Sequence, residues 1–173
     1  MLRIGIIGHR HLADVQTISF VKERCRQFLA AARNQEPEVK ALSAIAEGAD
    51  SLFAEAALEL GIPLEIVRPF VEYAADFETP LARERYERLR AAARSERKLD
   101  HLARSDNAYR AAMEWIVNHS DVLVIAWNGL PAAGPGGTGT AVEKVIHLKR
   151  SWLHLDVNNL TVEFHQAEQE KND

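Results

Sequence analysis

Short apolar runs alternate with segments of helical periodicity along most of the chain. The first run, residues 3–7, is nearly continuous and rich in isoleucine, which is typical of a strand buried on both faces of a sheet. Similar runs predict strands at residues 39–45, 62–67, 121–127, 152–157 and 161–164. Strands that alternate with helices in this way predict a three-layer α/β domain with a mainly parallel, doubly wound sheet and helices on both faces.

The segments between these runs carry helical patterns. In residues 14–33 apolar side chains recur at helical spacing and predict one buried stripe, made of Val15, Ile18, Val21, Cys25, Phe28 and Ala32. Asp14 fits the N-cap of that helix, Gly61 fits the end of the next one, and Pro80 fits the first turn of a third. Helices are further predicted at residues 51–60, 83–98, 106–118 and 140–150.

Length and composition set the broad class. A chain of 173 residues fits one domain, predicted to span residues 1–165, followed by a polar tail at 166–173. Hydrophobic residues make up 47% and charged residues 27%, as in ordinary globular proteins. The net charge of −4 argues against a broadly basic nucleic-acid surface. The one cysteine leaves no intramolecular disulfide, and no apolar run reaches membrane-spanning length, so we expect a cytoplasmic protein.

The segments that directly follow the predicted strands are where a ligand site is expected. In open parallel sheets, ligands bind beyond the carboxyl ends of the strands, at the point where the strand order reverses. Three segments stand at such positions: Gly8-His9-Arg10, then Glu47-Gly48-Ala49-Asp50, and finally residues 128–140 after the strand at 121–127. In the usual doubly wound order the strands at 3–7 and 121–127 are neighbours, and the three segments meet in one crevice.

The glycine-rich segment after residue 127 carries the strongest signal. It holds four glycines between Gly129 and Gly137, adds Gly139, and runs directly into a predicted helix. Glycines let backbone N–H groups face a ligand, and a helix start adds unpaired donors and partial positive charge. We therefore predict a phosphate-binding loop, formed by Gly136, Gly137, Thr138, Gly139 and Thr140. The alternative is a flexible surface connection without a ligand. Neither a Walker motif nor a GxGxxG fingerprint is present.

The other two strand-end segments supply candidate ligand contacts. Arg10 suits a bidentate clamp on phosphate or carboxylate, with a surface or packing arginine as the alternative. His9 either stacks on the ligand or simply occupies a turn. Gly48 permits close approach to a ligand, and Asp50 either caps the following helix or binds a ribose hydroxyl. Glu47 is a candidate for ribose or base recognition.

Three further features have weaker interpretations. Glu143 lies one turn into the helix after the glycine loop, where a carboxylate either acts on a ribose or complements the helix dipole. Residues 83–110 hold nine basic side chains interleaved with five acidic ones, which favours a solvated, ion-paired helix over a phosphate-facing lid or a weak nucleic-acid surface. The seven histidines are scattered without an HxxxH or CxxC pair, so no metal site and no cofactor are predicted.

Taken together, the three motifs resemble the SLOG superfamily of Rossmann-like domains, which includes the LOG-type proteins and the DNA-processing protein DprA. The resemblance covers roughly residues 3–157. Residues 135–143 read PGGTGTAVE and match the PGGxGTxxE motif of the LOG phosphoribohydrolases. The match implies that the loop holds a nucleotide phosphate and that Glu143 serves hydrolysis of the base–ribose bond. The Trp127-Asn128-Gly129 element resembles the branch proposed to sense nucleotide-derived signals, which adds Trp127 to the candidate ligand contacts.

The chain lacks one motif of the LOG phosphoribohydrolases, and this difference determines which functional hypothesis we place first. No MGxRK-type motif is found, and Ser95-Glu96-Arg97-Lys98 matches only its RK end. We therefore place binding of a nucleotide or nucleotide-derived phosphate ligand first. Phosphoribohydrolase activity, with Glu143 as the catalytic carboxylate and Arg10 fixing the phosphate, comes second. DprA-like single-stranded DNA binding comes last because of the acidic balance, so nucleic acid is not expected as a partner. LOG-type proteins assemble as dimers, which leaves a homodimer open here.

Overall fold

The computed structural model describes residues 1–132 and 137–167. Its strands are β1 (Leu2–Gly8), β2 (Val39–Ser43), β3 (Leu64–Arg68), β4 (Ser95–Lys98), β5 (Val122–Trp127), β6 (Ser151–Asp156) and β7 (Thr161–His165). Its helices are α1 (Val15–Gln35), α2 (Ala49–Glu59), α3 (Pro80–Ala92), α4 (Asp106–His119) and α5 (Thr138–His147), with a short 3-10 helix at Tyr73–Asp76. Of the predicted tail, residues 168–173 lie outside the described residues.

All seven strands form one sheet, in the order β4-β3-β2-β1-β5-β6-β7. Neighbouring strands are parallel except for β6 and β7, which form an antiparallel hairpin. The chain builds the sheet outward from β1 to β4 and then returns to place β5 on the other side of β1. The strand order therefore reverses between β1 and β5, which confirms the predicted doubly wound α/β fold.

Helices cover both faces of the sheet and divide the core in two. The α1, α2 and α3 side chains pack with inward residues of β1, β2 and β3 on one face. The α4 and α5 side chains pack with the opposite faces of β1 and β5. Both central strands are buried along four consecutive residues, as their continuous apolar sequences predict. None of the helices in the described part of the chain is long and apolar enough to cross a membrane.

The predicted stripe of α1 is partly wrong. The buried side chains of this helix are Thr17, Val21, Cys25 and Leu29, a strict i, i+4 row. Val15 is 77% exposed and Ile18 is 41% exposed, so the apolar residues at the start of the helix face solvent. The N-cap prediction is confirmed, because the Asp14 carboxylate accepts a hydrogen bond of 2.8 Å from the Thr17 N–H.

A helix predicted over residues 83–98 proves to be a helix followed by a strand. α3 begins at Pro80 in its first turn, with Thr79 as N-cap, and ends at Ala92. Residues 95–98 then form β4, which pairs in parallel with β3. This strand has no apolar side chain because it lies at the sheet edge, where charged residues protect the open backbone. β4 pairs with β3 through backbone hydrogen bonds, which the pattern of apolar and polar side chains does not indicate.

Two predicted boundaries shift in a way that matters for the site. α2 begins at Ala49 rather than at residue 51, and α5 begins at Thr138 rather than at residue 140. Both helices therefore start within the strand-end segments, and their first turns belong to the crevice. Gly61 follows the end of α2 with a φ of +66°, a conformation that favours glycine, as predicted.

Candidate functional site

A cavity of about 560 Å³ opens at the carboxyl ends of β1 and β5, where the strand order reverses. Eight of the predicted site residues line it: Gly8, His9, Arg10, Asp50, Trp127, Gly137, Thr138 and Gly139. Its apolar wall comes from Pro69 after β3 and from Ala112, Met113 and Ile116 of α4. Segments that are far apart in the sequence thus line a single cavity at the predicted position.

The first turn of α5 forms one wall of the cavity. Gly137 is its N-cap, and Thr138 is buried at the first helical position. A Cβ at Gly139 would stand 2.5 Å from the backbone nitrogen of Ala132, so glycine lets the loop fold closely over the helix start. The N–H groups of a first helical turn have no intrahelical acceptor. This wall therefore presents donors and the positive end of a helix dipole. Gly136 lies outside the described residues.

The segment after β1 joins the other two strand-end segments. The backbone N–H of Asn128 donates to His9 Nε2 at 3.1 Å, which leaves the His9 proton on Nδ1. His9 also donates its own N–H to the Ala126 carbonyl, and its carbonyl accepts from Ala49. His9 is therefore a connecting residue between loops as well as part of the cavity wall.

Gly48 makes a close approach, but to backbone rather than to the cavity. Its φ is +80°, and a Cβ there would stand 2.4 Å from the carbonyl oxygens of His9 and Arg10. Gly48 and Glu47 are not among the residues that line the cavity. Buried hydrogen bonds of Ser43 stabilise the turn before α2. The Ser43 hydroxyl donates to the Asp50 carbonyl and accepts from the Ile45 N–H.

Asp50 places a fully buried carboxyl group in the cavity wall. It occupies the first turn of α2, whose N-cap is Gly48, so the predicted capping role does not fall to its side chain. Burial raises the pKa of Asp50 to about 7, against the lowering effects of a hydrogen bond from the Ala46 backbone and of the Arg10 charge. Asp50 therefore changes charge near neutral pH, a property that is frequent at functional sites.

Arg10 belongs to a polar cluster that the sequence did not reveal. Its guanidinium lies 3.5 Å from the Asp76 carboxylate, which also accepts a hydrogen bond from the Tyr109 hydroxyl. Arg104 approaches the same carboxylate at 3.5 Å. Burial disfavours the charged form of Arg10, but Tyr73 and Asp76 favour it more, and the pKa of Arg10 is raised. The cavity thus holds a charged guanidinium whose orientation is fixed by a buried carboxylate.

Asp76 lies in the segment between β3 and α3, where the sequence pattern predicts neither a helix nor a strand. Its side chain is 3% exposed and stands at the end of the short 3-10 helix. The rings around it, Phe70, Tyr73, Phe77, Tyr86 and Tyr109, contact one another edge to face or stacked. Ligands of open parallel sheets bind beyond the carboxyl ends of the strands, and Asp76 lies beyond the end of β3. This position was the one sequence feature that could have indicated Asp76.

Two predicted site residues of α5 do not line the cavity. Glu143 is exposed and Thr140 is half-buried, and neither is among the described residues that line the cavity. Trp127, in contrast, lines the cavity, and its indole N–H donates to the Leu130 carbonyl at 2.8 Å. The helix start and the tryptophan are brought together, whereas the glutamate of the PGGxGTxxE match is not.

Four of the nine basic residues in the segment at residues 83–110 form ion pairs. Glu55 accepts from Arg85 at 2.8 Å and from Arg88 at 2.9 Å, which ties α3 to α2. Arg90 pairs with Glu96 at 3.2 Å. The partial RK match at 95–98 forms the edge strand β4. These contacts agree with the predicted solvated, ion-paired helix.

Potential metal ligands come together away from the cavity. Among the described residues, His154, Glu163 and His165 form one group whose ligand atoms lie within 4.8 Å of one another. The group spans β6 and β7, and none of its members lines the cavity. Strand pairing across a hairpin leaves no short sequence motif, so the search for HxxxH and CxxC pairs missed it.

Solved structures with this architecture are found among DNA-processing and cofactor-carrier proteins. DprA from Helicobacter pylori, which binds single-stranded DNA, has a TM-score of 0.58 at 16% identity, covering 99% of this chain and 67% of that one. DprA from Streptococcus pneumoniae has a TM-score of 0.60 at 15% identity, covering 88% of this chain and 50% of that one. The molybdenum cofactor carrier protein from Chlamydomonas reinhardtii has a TM-score of 0.56 at 17% identity, covering 90% and 76%.

These likenesses concern the fold. No protein-family model and no curated protein sequence matches the chain significantly. The neighbours share a Rossmann-like α/β fold with this chain, and the predicted doubly wound fold is confirmed. The prediction against a nucleic-acid partner gains no support, because a neighbour binds single-stranded DNA. The homodimer stays a prediction.

Proposed function

We propose that this SLOG-type fold binds a nucleotide or nucleotide-derived phosphate ligand in the cavity between the ends of β1 and β5. The observation that carries the proposal is the joint position of the α5 first turn and Arg10 on one cavity at the strand reversal. Ligands of open α/β sheets bind at that point. A volume of about 560 Å³ falls in the range of small-molecule sites.

The phosphate is assigned to the start of α5. The first-turn N–H groups and the Thr138 hydroxyl supply donors, and the helix dipole favours an anion. Arg10 adds a full positive charge on the opposite loop. A group of two or more negative charges is held best between these two elements, which suits phosphate better than a neutral ligand.

The base is assigned to the apolar wall. Met113, Ile116 and Pro69 offer aliphatic surface, and the rings of Trp127 and Tyr109 offer faces for stacking. Asp50 is placed to accept a hydrogen bond from a ribose hydroxyl. This division of the cavity into a cationic and an apolar part matches the two ends of a nucleotide.

Calorimetric titration with AMP, ADP-ribose and NAD tests the proposal. We expect saturable binding of at least one of them, weakened roughly 10- to 100-fold in Arg10→Ala, since a charged hydrogen-bonding contact contributes about 1.5–3 kcal/mol. Arg24→Ala, an exposed arginine on α1, is the matched control and should bind as wild type. Folded protein that binds none of the three ligands would contradict the proposal.

Hydrolysis of the base–ribose bond is a second candidate, favoured by the ionisation of Asp50. A carboxyl group with a pKa of about 7 in the cavity wall is suited to general acid–base chemistry near neutral pH. Glu143, the carboxylate implied by the family motif, is exposed outside the cavity. Release of free base from nucleoside monophosphates should therefore be lost in Asp50→Asn and retained in Glu143→Gln. The reverse result would return the catalytic role to Glu143.

A further inference from the structure

The β6–β7 hairpin carries three side chains that are common metal ligands. His154 lies on β6, and Glu163 and His165 lie on β7. One ligand atom from each lies within 4.8 Å of the other two. We propose that this group is a binding site for a divalent metal ion of the zinc class. The site is separate from the proposed ligand cavity and does not depend on the function assigned there.

The backbone brings these residues together. His154 pairs directly with Glu163, and Trp152 pairs with His165, in the antiparallel register of the hairpin. Residues two apart on a strand project to the same face. Glu163 and His165 therefore share a face with each other and with His154 across the ladder. The register of the two strands therefore brings the three residues together on one face of the hairpin.

His165 has a nitrogen in need of a partner. Its Nε2 is buried and has no hydrogen-bond partner among the described residues, and it lies 3.6 Å from a Glu163 carboxylate oxygen. A buried polar atom without a partner is costly and uncommon in folded proteins. A metal ion between the imidazole and the carboxylate would satisfy it. The ring of His165 is stacked on Trp152 at 4.1 Å between centroids, which holds its orientation.

His154 is oriented as metal-binding histidines usually are. Its Nε2 lies 3.3 Å from the Trp127 carbonyl oxygen, and only a protonated Nε2 can donate to that acceptor. The proton on Nε2 leaves the Nδ1 lone pair free for a metal. A backbone carbonyl on the far nitrogen is a typical outer partner that fixes the tautomer and the ring of a ligating histidine.

Two imidazoles and one carboxylate define the class of metal. Three nitrogen and oxygen ligands of this kind suit Zn²⁺ and leave a further coordination position open. Tetrahedral bonds of about 2.1 Å place ligand atoms roughly 3.4 Å apart, so the present spacing must contract on binding. The Glu163 side chain is 70% exposed and can rotate inward, and its exposure also gives the ion a path from solvent.

Zinc titration of tag-free, chelator-treated protein tests the site. Calorimetry with ZnCl₂ should give one equivalent bound per chain. Glu163→Gln and His165→Gln should each weaken binding by roughly 100-fold or more, since even the loss of an outer partner weakens metal binding by about 10- to 100-fold. His101→Gln is the matched control, because His101 follows β4 at the opposite edge of the sheet, and it should bind as wild type.

A spectroscopic readout separates the site from unspecific binding. Co²⁺ in a four- or five-coordinate site gives visible absorption bands, which we expect in wild type and not in Glu163→Gln. Glu163 is exposed, so this variant should fold normally by circular dichroism. Wild-type protein without stoichiometric zinc binding overturns the proposal. Zinc binding that Glu163→Gln and His165→Gln leave unchanged also overturns it.

Discussion

Asp50 makes a defined prediction about how stability depends on pH. Its carboxyl group is fully buried, and burial raises its pKa to about 7 in the folded protein. An aspartate in the unfolded chain has a pKa of about 3.9. The folded state therefore holds the proton more tightly. The stabilisation that Asp50 contributes is fully present below about pH 4 and is lost as the pH rises to about 7.

The difference of about three pH units between the two pKa values corresponds to roughly 4 kcal/mol, at about 1.4 kcal/mol per unit. Asp50→Asn removes the titration while it keeps the shape of the side chain. We expect the free energy of unfolding of this variant, relative to wild type, to rise by roughly 2–3 kcal/mol between about pH 5 and about pH 7. Above that range the difference should level off.

Urea denaturation at a series of pH values, followed by tryptophan fluorescence and circular dichroism, measures this difference. Asp106→Asn is the matched control, because Asp106 also lies in the first turn of a helix but is exposed. This control measures the effect of replacing a helix-start aspartate whose side chain is not buried. If the Asp50→Asn difference stays constant within about 0.5 kcal/mol over the same range, the carboxyl group is not raised and the reasoning is refuted.

Three further predictions concern the frame around the site. Gly48→Ala should destabilise the fold by at least about 1 kcal/mol more than Gly129→Ala in chemical denaturation, because both have a φ near +80° but only Gly48 meets neighbouring carbonyls; equal losses would contradict this. Asp14→Ala should cost about 1 kcal/mol of unfolding free energy by loss of the α1 N-cap, and an unchanged stability would speak against that cap. Burial raises the pKa of the Cys25 thiol to about 12, so a disulfide reagent should label it only after unfolding; rapid labelling of folded protein would be inconsistent with this core.

The doubly wound fold and the place of the cavity could be predicted because both depend on continuous stretches of sequence. β1 and β5 are buried on both faces, so each reads as an apolar run. The strand reversal then directs attention to Gly8, Arg10 and the start of α5. β4 could not be found in this way, because an edge strand of Ser, Glu, Arg and Lys has no apolar run and pairs with β3 through its backbone.

Other contacts in the molecule join residues that are distant in the sequence. Asp76 and Tyr109 are 33 positions apart and meet only because the fold brings the 3-10 helix close to the first turn of α4. The side chains of His154 and His165 meet through the register of a hairpin. Neither contact leaves a spacing that local periodicity records. Glu143, in contrast, belongs to a sequence motif that is easily recognised, but it is not among the described residues that line the cavity.

The close contact of Gly48 with the loop after β1 makes the frame around the cavity less tolerant of substitution than the cavity's apolar wall. Backbone meets backbone there, so any larger residue would push two strand-end loops apart, and this frame leaves little room for change. The wall made by Pro69, Met113 and Ile116 is attached to other elements and carries only side chains. Substitutions in that wall should therefore change the lining of the cavity while the two loops stay in place. Redesign of the ligand preference that we propose should begin at Met113.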